Sequence, residues 1–428
     1  MPPFDLTRRQ WLGSAAALGT VSAFGAPLLA ADSPWRNVAK LISDYVDPHK
    51  VANMVVVLGF GQDAPTVLAG GVDTLGQART SDASSIYRIY SMTKPITGMA
   101  VMQLIDEGKL GLDQPLYEIL PRFKHMQVQK AYDGPVTPDN LEPAKRAITI
   151  RQLLTHTAGL GYGIVQSGPI AEAFKARGVV PGLVTKLQNL PVFRGTAVHG
   201  LDVFADRLAE MPLVYQPGEH WSYSMAADLL GRVIEVVSGQ PFDAFLRERF
   251  FDPLAMDSTW FQVPRAEASR MTTSYLLAKG NLLPIDLGSD SIFFDPIPFP
   301  MGGSGLASTP LDYDRFLAML LGYGETRGRR VMGELAVRVG TSDLLPDTLL
   351  GQEDYGTKWG FGALGRVGRG MQEGVYGWAG AAGTLGFVDF KRGLRAGLFT
   401  QYMPSFEYNL LDEFPAAILA DLAAQGRA

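Results

Sequence analysis

Extended, β-branched runs stand at both ends of this chain with helix-spaced apolar residues between them, and no other feature constrains the fold as strongly. Near the start, residues 51–59 form a valine-rich run, and 70–72 and 85–90 continue as extended pieces separated by turn residues. Strand-like runs return at 359–363, 374–378, 383–389 and 395–402, and a terminal helix is predicted over 413–424. From about 122 to 300 strands are scarce; segments 149–155, 226–238 and 242–251 carry helical spacing between Pro- and Gly-rich loops, and another helix is predicted over 309–321. The simplest architecture is α/β (α+β): one lobe built from 32–125 and 301–428, with a mainly helical lobe, 126–300, inserted. A cleft between lobes is the default place for an active site.

At one junction the pattern changes period. After the extended piece ending at Tyr90, residues Met92, Ile96, Met99, Ala100, Gln103 and Leu104 fall on one helical stripe, with Gly108 as the stop. Ser91-Met92-Thr93-Lys94 therefore places a hydroxyl and an amine one turn apart on one helix face, near the positive end of the helix dipole. Ser91 can equally be a plain N-cap and Lys94 a solvated side chain, and chance supplies about 0.6 such spacings in a chain of this composition. Pro95 adds weight to the catalytic reading, because it has no N–H to return to the Ser91 carbonyl.

Competing chemistries lose their signatures. No G-x-S-x-G elbow occurs, and His156, at a helix end breaking into a turn, reads as structural. With no cysteine and no H-E-x-x-H, a thiolate site and a metal site are both unsupported, and no cofactor is expected. A net charge of −5 without basic runs argues against a nucleic-acid partner. At the start, Thr7-Arg8-Arg9-Gln10-Trp11-Leu12 precedes an uncharged Ala/Gly/Leu stretch over 13–30. Residues 1–31 read as a twin-arginine signal that engages an export machinery and leaves a periplasmic or secreted protein with no stable membrane span.

Five ordered motifs carry a family resemblance over roughly residues 35–425: Ser91-Met92-Thr93-Lys94-Pro95, residues 153–160, residues 216–224, residues 302–309, and Gly377-Trp378-Ala379-Gly380-Ala381-Ala382-Gly383. The chain resembles the serine β-lactamase and penicillin-binding superfamily, more closely its class C-like branch and the family VIII carboxylesterases. The resemblance implies an antiparallel sheet flanked by helices, Ser91 as nucleophile, and Lys94 with Tyr223 as its proton-handling partners. It further implies that Trp378-Ala379-Gly380 edge the cleft and that the N–H groups of Ser91 and Ala381 form an oxyanion hole. Two departures bear on substrate: Trp378 stands where the family has lysine, and Met225 where it has asparagine. An apolar rim in place of a polar clamp points to a small-molecule ester of modest acyl chain rather than a β-lactam. A β-lactamase, a D-alanyl-D-alanine carboxypeptidase-like enzyme, an acyltransferase on the same site and a non-catalytic envelope binding protein are the rival readings.

Overall fold

Neighbouring residues of β1 (Asn53–Phe60) face two different hydrophobic layers, as the two-residue period of a strand requires. The computed structural model describes residues 33–190, 192, 195–346, 349 and 359–427, so the predicted export segment lies outside the described residues. With β2 (Thr66–Gly71), β3 (Trp359–Phe361), β4 (Arg366–Gly368), β5 (Val375–Gly380), β6 (Thr384–Asp389) and β7 (Leu394–Phe399), β1 forms a seven-stranded sheet in the order β3-β4-β5-β6-β7-β1-β2. Every pairing in it is antiparallel, and Val55 of β1 lies opposite Phe399 of β7. The strand-rich ends of the chain thus share one sheet.

Five helices define the layers: α1 (Arg36–Val46), α2 (Thr93–Asp106), α3 (Ala226–Ser238), α4 (Pro310–Leu321) and α5 (Leu410–Ala424). Met54, Val56 and Leu58 pack with α1 and α5 on one face of the sheet. Asp421 of α5 accepts hydrogen bonds from the backbone N–H groups of Asn37 (2.9 Å) and Val38 (3.1 Å), which have no partner within α1. On the other face, α2 is buried from Thr93 to Leu104, which is why its apolar residues cover every side rather than one stripe. The main core runs unbroken from Val55 through Phe123, Leu230 and Phe299 to Phe399, so the helical middle and the sheet share it. No helix among the described residues is long and apolar enough to cross a membrane.

The middle of the chain holds more strand than its spacing predicts. Ser274–Ala278 and Asn281–Asp286 pair as a hairpin across Lys279 and Gly280, both at positive φ (51° and 78°) as a two-residue hairpin turn of the primed type demands. Gln127–Gln129 and Leu141–Pro143 form a second pair. The helix predicted over 242–251 changes at Arg247 into a single π turn, Arg247–Phe251. An unpredicted helix, α1, carries Val38, Leu41, Ile42 and Tyr45 at helical spacing.

Candidate active site

Local backbone fixes Ser91 before any side chain contributes. The short strand Tyr87–Arg88 pairs with Ala307–Ser308 and runs into a 3₁₀ turn, Tyr90–Met92, after which α2 begins at Thr93. Ser91 is therefore inside a tight turn ahead of the helix, not at the helix N-cap. Tyr90 has a φ of 42°, a conformation costly for a bulky side chain and kept only where surrounding contacts over-determine it. Those contacts are present: Tyr313 Oη donates to the Met92 carbonyl at 3.0 Å, and Leu306 N–H donates to Thr93 Oγ1 at 3.2 Å. At Gly380 an added Cβ would overlap the Ile89 carbonyl, so the absence of a side chain there lets β5 close against the turn. The smallness of Gly380 serves this approach of strand to turn.

Three of the predicted groups meet at one point. Ser91 Oγ lies 2.9 Å from Tyr223 Oη and 3.2 Å from Lys94 Nζ. Lys94 is fully buried, donates to the Gly303 carbonyl at 2.7 Å, and holds its Nζ 4.6 Å from the centre of the Tyr223 ring. That ring is packed edge-on by His156 at 4.9 Å and at a tilt by Tyr162 at 5.3 Å and Trp378 at 5.7 Å, which leaves it little freedom to swing. Trp378 and Ala379 are half-buried on β5, and Ala381 is exposed just past its end. Met225 takes a different place: it is fully buried in the main core at the start of α3, and its substitution for asparagine fills the interior there instead of forming an open rim.

Behind the lysine stands an acid that sequence reasoning passed over. Asp228, in the first turn of α3, accepts the Gly303 N–H at 3.0 Å, so the backbone of one residue, Gly303, stands between its carboxylate and Lys94. An added Cβ at Gly303 would come within 2.8 Å of an Asp228 carboxylate oxygen and force it to shift. A lone acid in Ala226-Ala227-Asp228-Leu229-Leu230 was the available signal, but a first-turn acid is ordinarily explained by the helix dipole alone. Burial pushes the Asp228 carboxyl up to about 6, with the Lys94 charge opposing it. The folded state therefore holds this proton more tightly than the unfolded chain, and stability falls as pH rises from the ordinary 3.8 to about 6. Asp228→Asn should remove that slope, worth on the order of 3 kcal/mol. Urea unfolding of both proteins at pH 4 and pH 7.5 checks this: the variant gains stability relative to the parent at the higher pH, and an unchanged difference between the two pH values refutes it.

His156, read from sequence as structural, is fully buried with Nδ1 2.9 Å from Ser224 Oγ. Burial, aided by the Lys94 charge, holds it well below the usual histidine range. Among the described residues no group of three or more His, Asp or Glu side chains is placed to hold a metal ion.

With this geometry in hand, comparisons place the chain among known proteins. A family model described as Beta-lactamase matches residues 38–420. The chain is similar to Esterase EstB of Burkholderia gladioli, 30% identical over 354 residues that cover 78% of this chain and 81% of that protein. It is 39% identical over 264 residues to Protein Rv1367c of Mycobacterium tuberculosis, a match covering 61% of this chain and only 60% of that relative's length. Among solved structures, "EstCE1, a hydrolase with promiscuous acyltransferase activity" superposes with a TM-score of 0.72 at 22% identity, covering 90% of this chain and 98% of that one, which establishes a common fold.

Proposed function

The chain belongs to the Beta-lactamase family, and on that premise we propose that it is a serine hydrolase cleaving acyl esters through an acyl-serine intermediate. One observation carries the reading: Ser91 Oγ is within hydrogen-bond reach of both Lys94 Nζ and Tyr223 Oη, at 3.2 and 2.9 Å, which sets an amine and a phenol beside one hydroxyl. In the proposed acylation, Lys94 acting with Tyr223 takes the hydroxyl proton as Ser91 Oγ bonds to the ester carbonyl carbon. The N–H groups of Ser91 and Ala381 receive the oxyanion, the C–O bond to the alcohol breaks, and Tyr223 delivers the proton to the departing oxygen. Deacylation repeats the sequence with water as nucleophile and Ser91 Oγ as leaving group, which regains the proton. An alcohol arriving in place of water turns the same intermediate to acyl transfer, and EstCE1 is itself described as a hydrolase with promiscuous acyltransferase activity.

Ester rather than β-lactam chemistry is supported by the uncharged indole at Trp378, since the side chain at that position offers an anionic substrate no ammonium. The likeness to EstB, named an esterase, points the same way. We expect kcat/KM for p-nitrophenyl butyrate to exceed that for nitrocefin by at least roughly 10²-fold. Faster opening of nitrocefin would assign the site to β-lactams instead.

A further inference from the structure

Past the end of β7 the chain leaves the seven-stranded sheet and joins the small hairpin, where Tyr402 pairs with Tyr275. At that crossing it touches both segments that carry the proposed oxyanion donors. On one side, the buried Gln401 amide lies against the main chain of Arg88, three residues before Ser91. Gln401 Oε1 accepts the Arg88 N–H at 3.3 Å, and Nε2 donates to the Arg88 carbonyl at 3.1 Å. The same Oε1 accepts from Arg88 Nη1 at 3.1 Å, and the rest of that buried guanidinium is held by Asp286, Ser291 and the Thr272 carbonyl. On the other side, Thr400 Oγ1 lies 2.9 Å from the carbonyl oxygens of both Ala382 and Gly383, and the Tyr402 N–H donates to the Ala382 carbonyl at 3.2 Å. Ala382 directly follows Ala381.

An oxyanion hole works only when both N–H groups stand about 2.7–3.1 Å from one oxygen, so their separation matters as much as their presence. Neither donor lies inside a long regular element that would fix this separation: Ser91 is in the 3₁₀ turn and Ala381 is past the end of β5. Arg88 and Gln401 share no sheet, yet the side-chain amide meets both backbone groups of Arg88 as a ladder partner would. We propose that Thr400 and Gln401 are positioning residues that set the gap between the Ser91 and Ala381 N–H groups, and so determine how well the site holds an oxyanion. They act through Arg88 and Ala382 and touch no reacting atom. This inference rests on the serine-hydrolase reading above, and its test tells the two apart.

Gln401→Met keeps the side-chain length and removes the amide; Thr400→Val keeps the shape and removes the hydroxyl. Each should lower kcat for p-nitrophenyl butyrate roughly tenfold, counted per site titrated with fluorophosphonate, with KM changed less than about twofold. Phenylboronic acid forms a tetrahedral adduct on Ser91 Oγ that places a hydroxyl where the oxyanion develops, and it should bind both variants roughly tenfold more weakly. Thr400→Ser, which retains the hydroxyl, should recover both values. If Gln401→Met yields no folded protein, Thr400→Val against Thr400→Ser decides. A purely structural role predicts a lower urea midpoint with kcat per titrated site and boronate affinity as in the parent, and that result overturns the proposal. Peptide mapping of the fluorophosphonate adduct on the parent separates the two claims. An adduct at Ser91 with unmoved kcat and boronate affinity in the variants defeats the positioning role alone, whereas no adduct at Ser91 defeats the hydrolase reading and this inference together.

Discussion

Ser91→Ala is expected to abolish measurable ester turnover, a loss of at least about 10²-fold, while the protein unfolds at nearly the same denaturant concentration. The asymmetry follows from what the hydroxyl touches. Ser91 is only half-buried, so removing one oxygen opens no sealed cavity. Lys94 Nζ keeps the Gly303 carbonyl at 2.7 Å and Tyr223 Oη keeps Trp378 at 3.3 Å, so neither partner is orphaned. The attacking atom itself has no substitute on the same turn. Steady-state rates with p-nitrophenyl butyrate, together with urea unfolding, check both halves; a variant retaining a tenth or more of the activity would move the nucleophile elsewhere.

Lys94→Met should be as damaging to turnover, at least about 10²-fold, with a different signature in stability. Methionine nearly matches the volume of the lysine stem inside a fully buried position, so packing changes little. What changes is electrostatic. The Lys94 charge opposes the upward push of burial on Asp228, and without it the carboxyl rises beyond about 6. Folded protein then binds a proton that the unfolded chain does not over a wider range, so stability continues to fall with rising pH above 6, where the parent has levelled off. Unfolding free energies at pH 5, 6, 7 and 8 report the slope. A variant whose profile parallels the parent's above pH 6 would show that the Lys94 charge does not act on Asp228.

Much of this architecture was legible in the chain, and the exceptions have physical causes. Extended, β-branched runs exposed β1 and the C-terminal strands, and helical spacing over 226–238 coincides with α3. The Ser91–Lys94 pair was visible because a three-residue spacing brings side chains together across a helical turn, here the 3₁₀ turn that leads into α2. Convergence of Tyr223 on that pair was legible only through the family resemblance, because 132 residues separate Ser91 from Tyr223 and no local rule spans such a gap. Asp228 hid for a related reason: its partner is a backbone N–H at position 303, and peptide groups leave no mark in a sequence. The Ser274–Asp286 hairpin was missed although Lys279-Gly280 is a fair turn signal, because Leu276, Leu277, Leu282 and Leu283 suit a helix as well as a strand. Trp378 was read as a surface, and its 3.3 Å contact with Tyr223 Oη required the fold.

The pairing of β1 with β7 joins residues more than 330 positions apart, Val55 with Phe399 among them. During synthesis, then, the first hairpin stands with one edge unsatisfied until a neighbour more than 330 positions further along has been translated. Helix α1 waits equally long for Asp421 to cap it. Such a sheet closes late, and in the interval the valine-rich edge of β1 is open to pairing with other chains.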